Sequence, residues 1–144
     1  MPSADILTLA DAVVTALNAH SFGTAFTAER GYVPIVELPD MDTLHVTVLP
    51  RQDEAELDTR TTLQHGWQID IAVQQRPTAV TNTYLDPLVY LAQQIAEYFA
   101  FGQRPHNSTL TATQVRILYL QEHLQKFRQF TSVITLTFRG WTQP

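Results

Sequence analysis

The stretch from Arg128 to Arg139 constrains the fold of this chain most, because its side chains alternate in character from residue to residue. One parity is mostly apolar and contains Phe130, Ile134, Leu136 and Phe138, with Ser132 as a small exception. The other parity is mostly polar and contains Thr131, Thr135, Thr137 and Arg139, with Val133 among them. Alternation in β-branched and aromatic residues is typical of a strand with one buried face. Since the stretch contains no Gly or Pro, we predict that it lies inside a sheet.

Composition limits the class of protein. A chain of 144 residues fits one domain that buries about two thirds of the surface exposed by its unfolded chain. The net charge of −5 argues against a dedicated nucleic-acid binder, and the lack of cysteine excludes disulfides and thiolate metal sites. No apolar run is long enough to span a membrane, and the N-terminus does not have the pattern of a secretory signal. We therefore expect a globular protein made in a cytoplasm-like setting.

Two amphipathic helices are predicted. Residues from Ser3 to about Ala19 carry an apolar stripe at helical spacing, with Ser3 as N-cap and Asp5 in the first turn. A second helix is predicted to begin at Asp86-Pro87, where Asp can cap and Pro takes the first helical position. Gly102 and Pro105 are expected to end it. Both helices should lie on one face of a sheet, or one on each side of its edge.

The remaining segments supply strands. The predicted strands are Phe26–Val33, Thr43–Leu49 (ended by Pro50), Gln64–Gln75 and Gln114–Leu120, followed by the strand described first, with Gly140-Trp141 as the turn out of it. Residues from Glu122 to Gln129 are predicted to form a helical turn that carries Leu124 and Phe127 inward. The chain is therefore expected to be a single α+β domain over residues 1–144. The expected order is α-β-β-β-α-β-β, with a mainly antiparallel sheet of about four to five strands packed with two helices.

A charged segment separates two of these strands. It contains Arg51, Asp53, Glu54, Glu56, Asp58 and Arg60. We predict an exposed loop or an extended hairpin tip that connects Thr43–Leu49 to Gln64–Gln75. Two interpretations stay open: a solvated connection, or a charged arm that docks on a neighbouring subunit.

Residues capable of catalysis or metal binding do not form a recognisable set. No two histidines have metal-ligand spacing among His20, His45, His65, His106 and His123. There is no Gly-x-Ser-x-Gly elbow and no glycine-rich phosphate loop. Carboxylates of the charged segment are the remaining candidates for acid–base chemistry, but a solvated loop does not tune them for it. We predict no enzyme activity, no cofactor and no metal.

The polar strand faces are unusual in being almost uncharged. They carry Thr and Gln together with Leu49, Leu118 and Val133, where Lys and Glu usually protect exposed strands. Such a face suits burial against another protein. A plain solvated face remains the alternative.

Three parts of the sequence resemble a known family. They are Gly66–Gln74, the helix that starts at Asp86-Pro87, and Glu122-His123-Leu124 leading into Arg128–Phe138. These parts resemble tail terminator proteins of long-tailed bacteriophages and prophages, also called tail completion or minor tail proteins. The similarity runs from the first helix to Arg139. It implies a small α+β subunit of a hexameric ring that caps the tail tube, ends its polymerisation and joins it to the head-side connector.

The resemblance also implies partners and a location. The partners would be further copies of this chain, the tail tube protein and the connector or stopper protein, and the location would be the virion after assembly in the bacterial cytoplasm. DNA would only pass through, with no specific binding and no membrane contact. Six copies would carry roughly −30 charges, and an acidic lumen would not retain DNA.

As a hypothesis, ring contacts use the charged segment and the polar strand faces, with basic residues pairing to carboxylates of a neighbour. The interface residues are Arg51, Asp53, Glu54, Glu56, Asp58, Arg60, Lys126, Arg128, Thr135 and Arg139. One alternative is a head-side neck or stopper protein that also forms a ring. Another is a small non-viral α+β domain that binds a ligand or dimerises.

Overall fold

The computed structural model describes residues 5–32, 43–105 and 110–142, which form one five-stranded sheet and three helices. The elements are α1 (Asp5–Ala19), β1 (Ala28–Arg30), β2 (His45–Leu57), β3 (Leu63–Gln75), α2 (Asn82–Ala100), β4 (Ala112–Tyr119), α3 (Gln121–Phe127) and β5 (Phe130–Thr142). The strand order is β1-β2-β3-β5-β4. β1 and β2 are parallel and the other three pairs are antiparallel, so the sheet is mixed. The α+β class is confirmed, whereas the third helix and the parallel pair differ from the predicted order.

Both long helices lie on the same face of the sheet, which is one of the two predicted arrangements. α1 contacts β1, β2 and β3, and α2 contacts β4 and β5. Their apolar stripes and the facing strand residues form one core. Its fully buried large side chains include Leu17, Leu91, Ile95, Phe99, Ile69, Ile71, Ile134, Leu136 and Phe138. Burial of each such side chain stabilises the fold by about 1.5–3 kcal/mol.

β5 is an interior strand, as the alternation predicts. It pairs with β3 over its whole length and with β4 on its other side. Ile134, Leu136 and Phe138 face the helices and are fully buried. We call the opposite face of the sheet the outer face. Thr131 and Thr135 lie on the outer face and are also buried, so this part of it is not solvated.

The predicted turn at Gly140-Trp141 is wrong, because β5 continues to Thr142. Gly140 pairs with His65 of β3 and lies against the indole ring of Trp67. A Cβ atom at position 140 would lie 2.4 Å from Cζ3 of that ring. The glycine is therefore explained by a close approach inside the sheet, which is a recognised reason for glycine in a strand.

Pro50 does not end its strand, contrary to the prediction. The carbonyl of Val48 accepts a hydrogen bond of 2.9 Å from the N–H of Gly31, so the main chain of Val48 faces β1. Main-chain groups alternate between the two sides of a strand, so those of Pro50 face the same side and its missing N–H does not interrupt pairing with β3. A register shift between Pro50 and Gln52 follows, after which β2 continues to Leu57. Proline is tolerated at such bulges and edges.

Most of the charged segment belongs to strand β2 and forms the tip of a hairpin. Residues 51–57 belong to β2, and they pair with β3 as the predicted hairpin requires. The turn is closed by hydrogen bonds from the N–H groups of Asp58 and Thr59 to the carbonyl of Thr62, at 3.0 and 3.2 Å. The loop alternative is therefore wrong for residues 51–57, and the extended hairpin is confirmed.

α2 begins earlier than predicted. The carbonyl of Thr81 accepts hydrogen bonds from the N–H groups of Tyr84 and Leu85, at 3.1 and 3.0 Å, which starts the helix at Asn82. Pro87 is inside the helix, so the predicted cap at Asp86 is wrong. Pro87 lacks the donor that would bond the carbonyl four residues earlier, but the turn from Thr81 already fixes the helix. The predicted end is confirmed, with Gly102 at a φ of +87°.

α3 confirms the predicted helical turn, with one exception. Leu124 is half-buried against the core, but Phe127 is 49% exposed and does not point inward. The helix ends at Phe127, where Arg128 takes the left-handed conformation with a φ of 51°. The N–H of Gln129 then donates to the carbonyl of His123 at 3.1 Å and leads the chain into β5.

β1 and β4 differ in length from the predicted strands. β1 is only Ala28–Arg30, and it is held to α1 by two hydrogen bonds between the Asn18 side chain and the main chain of Ala28, at 2.7 and 3.1 Å. Arg30 also pairs with Asp11 at 2.7 Å, and its hydrogen bond with the Tyr32 hydroxyl raises the pKa of the guanidinium. β4 begins two residues earlier than predicted. The predictions made for Ser3, Val33 and His106 lie outside the described residues.

Candidate interaction surfaces

The end of the β2–β3 hairpin contains the longest run of exposed residues in the described part of the chain. We define the distal hairpin as residues 51–67. Every side chain from 51 to 57 is exposed, and Leu57 is 73% exposed. Because residues of both parities are exposed, neither face of this part of β2 is covered by the helices. A hairpin alone is marginally stable, and here the end of β5 adds a third strand beside residues 63–66.

The carboxylates of the distal hairpin divide between its two faces. Glu54 pairs with Gly66 and Glu56 pairs with Gln64, which places both on the outer face beside Arg139 and Trp141. Asp53 pairs with Trp67 and lies on the helix side. Asp58 and Arg60 lie in the exposed turn. The outer face therefore presents a two-carboxylate strip along β2.

A chain of hydrogen bonds joins Asp53, His65 and Thr142 on the helix side of the hairpin. Nδ1 of His65 lies 2.8 Å from Oδ1 of Asp53, and Nε2 lies 2.7 Å from Oγ1 of Thr142. The imidazole also stacks on Trp67, with ring centroids 5.0 Å apart and planes 8° apart. The residues come from β2, β3 and β5, so the chain ties the three strands together.

Carboxylate, imidazole and hydroxyl in this order also occur in nucleophilic hydrolases. Such an enzyme needs hydrogen-bond donors around the oxyanion that forms on the substrate. Glu54, Glu56, Gln64 and Arg139 line a concavity at Gly66, but it lies on the outer face and cannot supply donors to a substrate at the imidazole on the helix side. Both ring nitrogens of His65 are held by Asp53 and Thr142, so the geometry favours a structural role for His65.

Arg51 and Thr135, both predicted as contacts with a neighbour, contact each other within one chain. Nη1 of Arg51 donates to Oγ1 of Thr135 at 3.2 Å, and Oγ1 donates to Oδ1 of Asp70 at 2.8 Å. Arg51 and Asp70 also form an ion pair at 3.6 Å. Thr135 is 9% exposed, so it organises this cluster inside the subunit. On β4, Arg116 is the cross-strand partner of Thr135.

Lys126 and Arg128 are exposed at the end of α3. β5 starts two residues after Arg128, and its other end borders the distal hairpin. Glu54 lies level with Arg139, nine residues from Phe130, which corresponds to about 30 Å along the strand. The two cations are therefore too far from Glu54 and Glu56 to pair with them in the same molecule.

Arg139 is predicted together with Lys126 and Arg128 as a cation that pairs with a neighbour, but it lies at the opposite end of β5 from them. It pairs across the sheet with Gly66, which in turn pairs with Glu54. Arg139 and Glu54 thus flank a position without a side chain. Among the described residues, ion pairs join Arg30 to Asp11 and Arg51 to Asp70, and the carboxylate of Asp53 is hydrogen-bonded to His65. Glu54, Glu56 and Arg139 have no partner of opposite charge in this set.

Two strand edges are uncovered in the described part of the chain. β1 covers β2 only at Val46–Val48, so the edge of β2 is free beyond that point. β4 pairs with β5 on one side and with no described strand on the other. The predicted interface residues include none of β4, although this edge strand lacks the Lys and Pro that protect edges. Its side chains Leu118 and Tyr119 are 53% and 40% exposed.

Comparisons with known proteins do not identify a family: no family model matches the chain, and no curated protein matches it. Among residues 5–32, 43–105 and 110–142, no three His, Asp or Glu side chains are grouped so as to hold a metal ion. The helices in these ranges also include none long and apolar enough to cross a membrane.

Proposed function

We propose that this protein is a tail terminator subunit of a long-tailed bacteriophage or prophage. Copies of the chain form a ring, expected to be hexameric, at the head-proximal end of the tail tube. The ring ends tube polymerisation, joins the tail to the head-side connector and leaves a channel for DNA. The sequence similarity of β3 and of α3 with β5 to that family is the starting point for this proposal.

The observation that carries the proposal is the separation of opposite charges on one sheet. Carboxylates Glu54 and Glu56 are exposed and unpaired at the distal hairpin, and Lys126 and Arg128 are about 30 Å away along β5. Because the two groups are too far apart to pair within a molecule, each subunit presents an acidic and a basic surface at different places to its neighbours. Contacts between two different surfaces of identical subunits generate rings when the rotation closes.

The net charge supports a channel that lets DNA pass. Each subunit carries −5, so six copies carry roughly −30. A lumen with excess carboxylates repels the phosphate backbone, whereas a basic lumen would retain it through counterion release. Passage of DNA requires the first behaviour.

Labelling of intact virions tests the proposal. Gold-labelled antibody against this chain should mark the head-proximal end of the tail in electron micrographs of phage from an induced culture. Label on free tails, with none on DNA-filled heads that lack tails, is the expected pattern. Label on such heads and not on free tails would reject the tail terminator in favour of the head-side stopper alternative.

Solution mass addresses the third alternative, a non-viral domain that dimerises. A ring should have about six times the subunit mass of 16.3 kDa, or assemble when tube is present. A chain that remains dimeric in the presence of tube, and is absent from virions, contradicts the proposal.

A further inference from the structure

We propose that the free edge of β4 in one copy pairs, antiparallel, with residues 52–57 of β2 in the next copy, so that neighbouring sheets join edge to edge. The occupant of each free edge is therefore a second copy of this chain. The inference rests on the proposed function only in taking copies of the chain as partners.

The unpaired groups are at the right places. The main chain of residues 51–57 pairs with β3, and that of residues 112–119 pairs with β5. Their remaining hydrogen bonds are made by the side chains of Arg51, Asp53 and Thr113, so the main-chain groups on the second side of both segments are unpaired. An edge of this length exposes a row of main-chain donors and acceptors, which readily pairs with another strand. Pairing of this kind is a common mode of protein recognition.

Strand directions are compatible with a continuous sheet. β2 is antiparallel to β3, β3 to β5, and β5 to β4. β2 and β4 therefore run in opposite directions at the two sides of one subunit. When a second subunit is placed beside the first in the same orientation, its β2 meets β4 antiparallel, and the outer faces of both sheets remain on the same side.

The main-chain groups that would pair can be assigned by alternation. The carbonyl of Val48 accepts from Gly31, so the main-chain groups of Val48 face away from β3. When the alternation is followed along β3, past the register shift in β2, the N–H and C=O groups of Asp53, Ala55 and Leu57 also face away from β3, toward the free edge. The carbonyl of Thr131 accepts a hydrogen bond from the N–H of Leu120, so the main-chain groups of odd-numbered residues in β5 face β4 and those of even-numbered residues face β3. The β4 partners of the even-numbered residues include Val115 and Ile117, whose main-chain groups therefore face the free edge.

Charge selects the register. With Ala55 opposite Val115, all residues from 52 to 57 face residues 113–118. Glu54 then lies directly opposite Arg116 on the outer face, and Glu56 lies on the diagonal. Opposite charges in these two positions are within reach of each other and stabilise a strand pair. Arg116 is exposed and has no carboxylate partner among the described residues.

Cysteine cross-linking tests the pairing directly, because the natural chain contains no cysteine. In the variant Glu54→Cys with Arg116→Cys, the two positions of one molecule are roughly 20 Å apart, given three strand spacings and four residues along the strands. A disulfide needs Cα atoms within about 7 Å, so it can form only between copies. Oxidation should give a ladder of dimers, trimers and larger covalent species on a non-reducing gel.

The control is Tyr90→Cys with Arg116→Cys, since Tyr90 is 59% exposed but lies on α2. This variant should give no ladder under the same conditions. Covalent products that stop at dimers would reject the head-to-tail arrangement. Rings in electron micrographs of the wild-type chain, without cross-linking of Glu54→Cys to Arg116→Cys, would reject the edge pairing and leave the proposed function standing. A chain that neither cross-links nor assembles, alone or with tube, rejects both.

Discussion

Gly140 and Trp67 occupy complementary positions on adjacent strands: the missing side chain of one is the space taken by the ring of the other. Trp67 is 5% exposed and lies over Gly140, where a Cβ would meet two ring carbons at 2.4 and 2.7 Å. Trp67 also stacks on His65, so the ring is fixed from two sides.

Substitution Gly140→Ala should therefore lower the free energy of unfolding by about 1–3 kcal/mol, the usual cost of overpacking. Chemical denaturation followed by tryptophan fluorescence measures it. Gly66→Ala is the matched control, because its nearest atom beyond the chain neighbours would be 3.9 Å away. Equal losses in the two variants would contradict this explanation of Gly140.

Thr135→Lys should lower the free energy of unfolding by about 1–3 kcal/mol, because it removes a hydroxyl that is bonded to Asp70 and Arg51 and brings a third cation beside Arg51 and Arg116. Thr137→Lys, on the same strand and face but half-buried, should change it by less than about 0.5 kcal/mol. Thermal unfolding compares the two. A harmless Thr135→Lys would mean that the outer face is solvated at this position.

His65→Phe keeps a ring on Trp67 and removes the hydrogen bonds to Asp53 and Thr142. The expected loss in free energy of unfolding is about 1 kcal/mol. Faster hydrogen exchange in residues 139–142 should accompany it, since the bond to Thr142 holds this end of β5. Hydrolysis of p-nitrophenyl acetate should be the same for the variant and the wild type. A large difference in hydrolysis would revive the nucleophilic interpretation.

Glu54→Gln with Glu56→Gln should weaken assembly without weakening the fold. Both side chains are exposed and unpaired, so the free energy of unfolding should change by less than about 0.5 kcal/mol. Analytical ultracentrifugation should show fewer large species, and assembly should depend less on salt, because charge pairs are screened. Asp86→Asn is the control, because Asp86 is an exposed carboxylate on α2 with no ion pair among the described residues. Identical assembly of all variants would remove these carboxylates from the interface.

The strand pattern of the sequence predicted the main architecture because period-two burial is local information. β5 and β3 were both recognised from their alternation, and the hairpin between β2 and β3 followed from two such strands. The parallel pairing of β1 was not predictable in this way. It depends on three residues and on a side-chain contact from Asn18, which is distant in the chain.

The errors share a physical cause: each of these residues predicts a boundary of regular structure, the end of a strand for Pro50 and Gly140 and the start of a helix for Pro87. In each case tertiary context removed the conflict. At Pro50 the position of the missing N–H faces the sheet edge and not β3. Pro87 follows a helical turn that is already formed at Thr81, and Gly140 leaves space for the indole ring of Trp67. The contacts of the residues predicted for the interface are harder to predict, since nothing in the sequence indicates that Thr135 bonds to Arg51 of the same chain.

Pro50 has one more consequence. In a parallel ladder that continued beyond the bond from Gly31 to Val48, the next donor would be the N–H of residue 50, which proline lacks. The ladder between β1 and β2 therefore ends at this point. A single missing hydrogen atom divides β2 into a part that is paired on both sides and a part whose second side is unpaired among the described residues, which is the edge used in the proposed assembly.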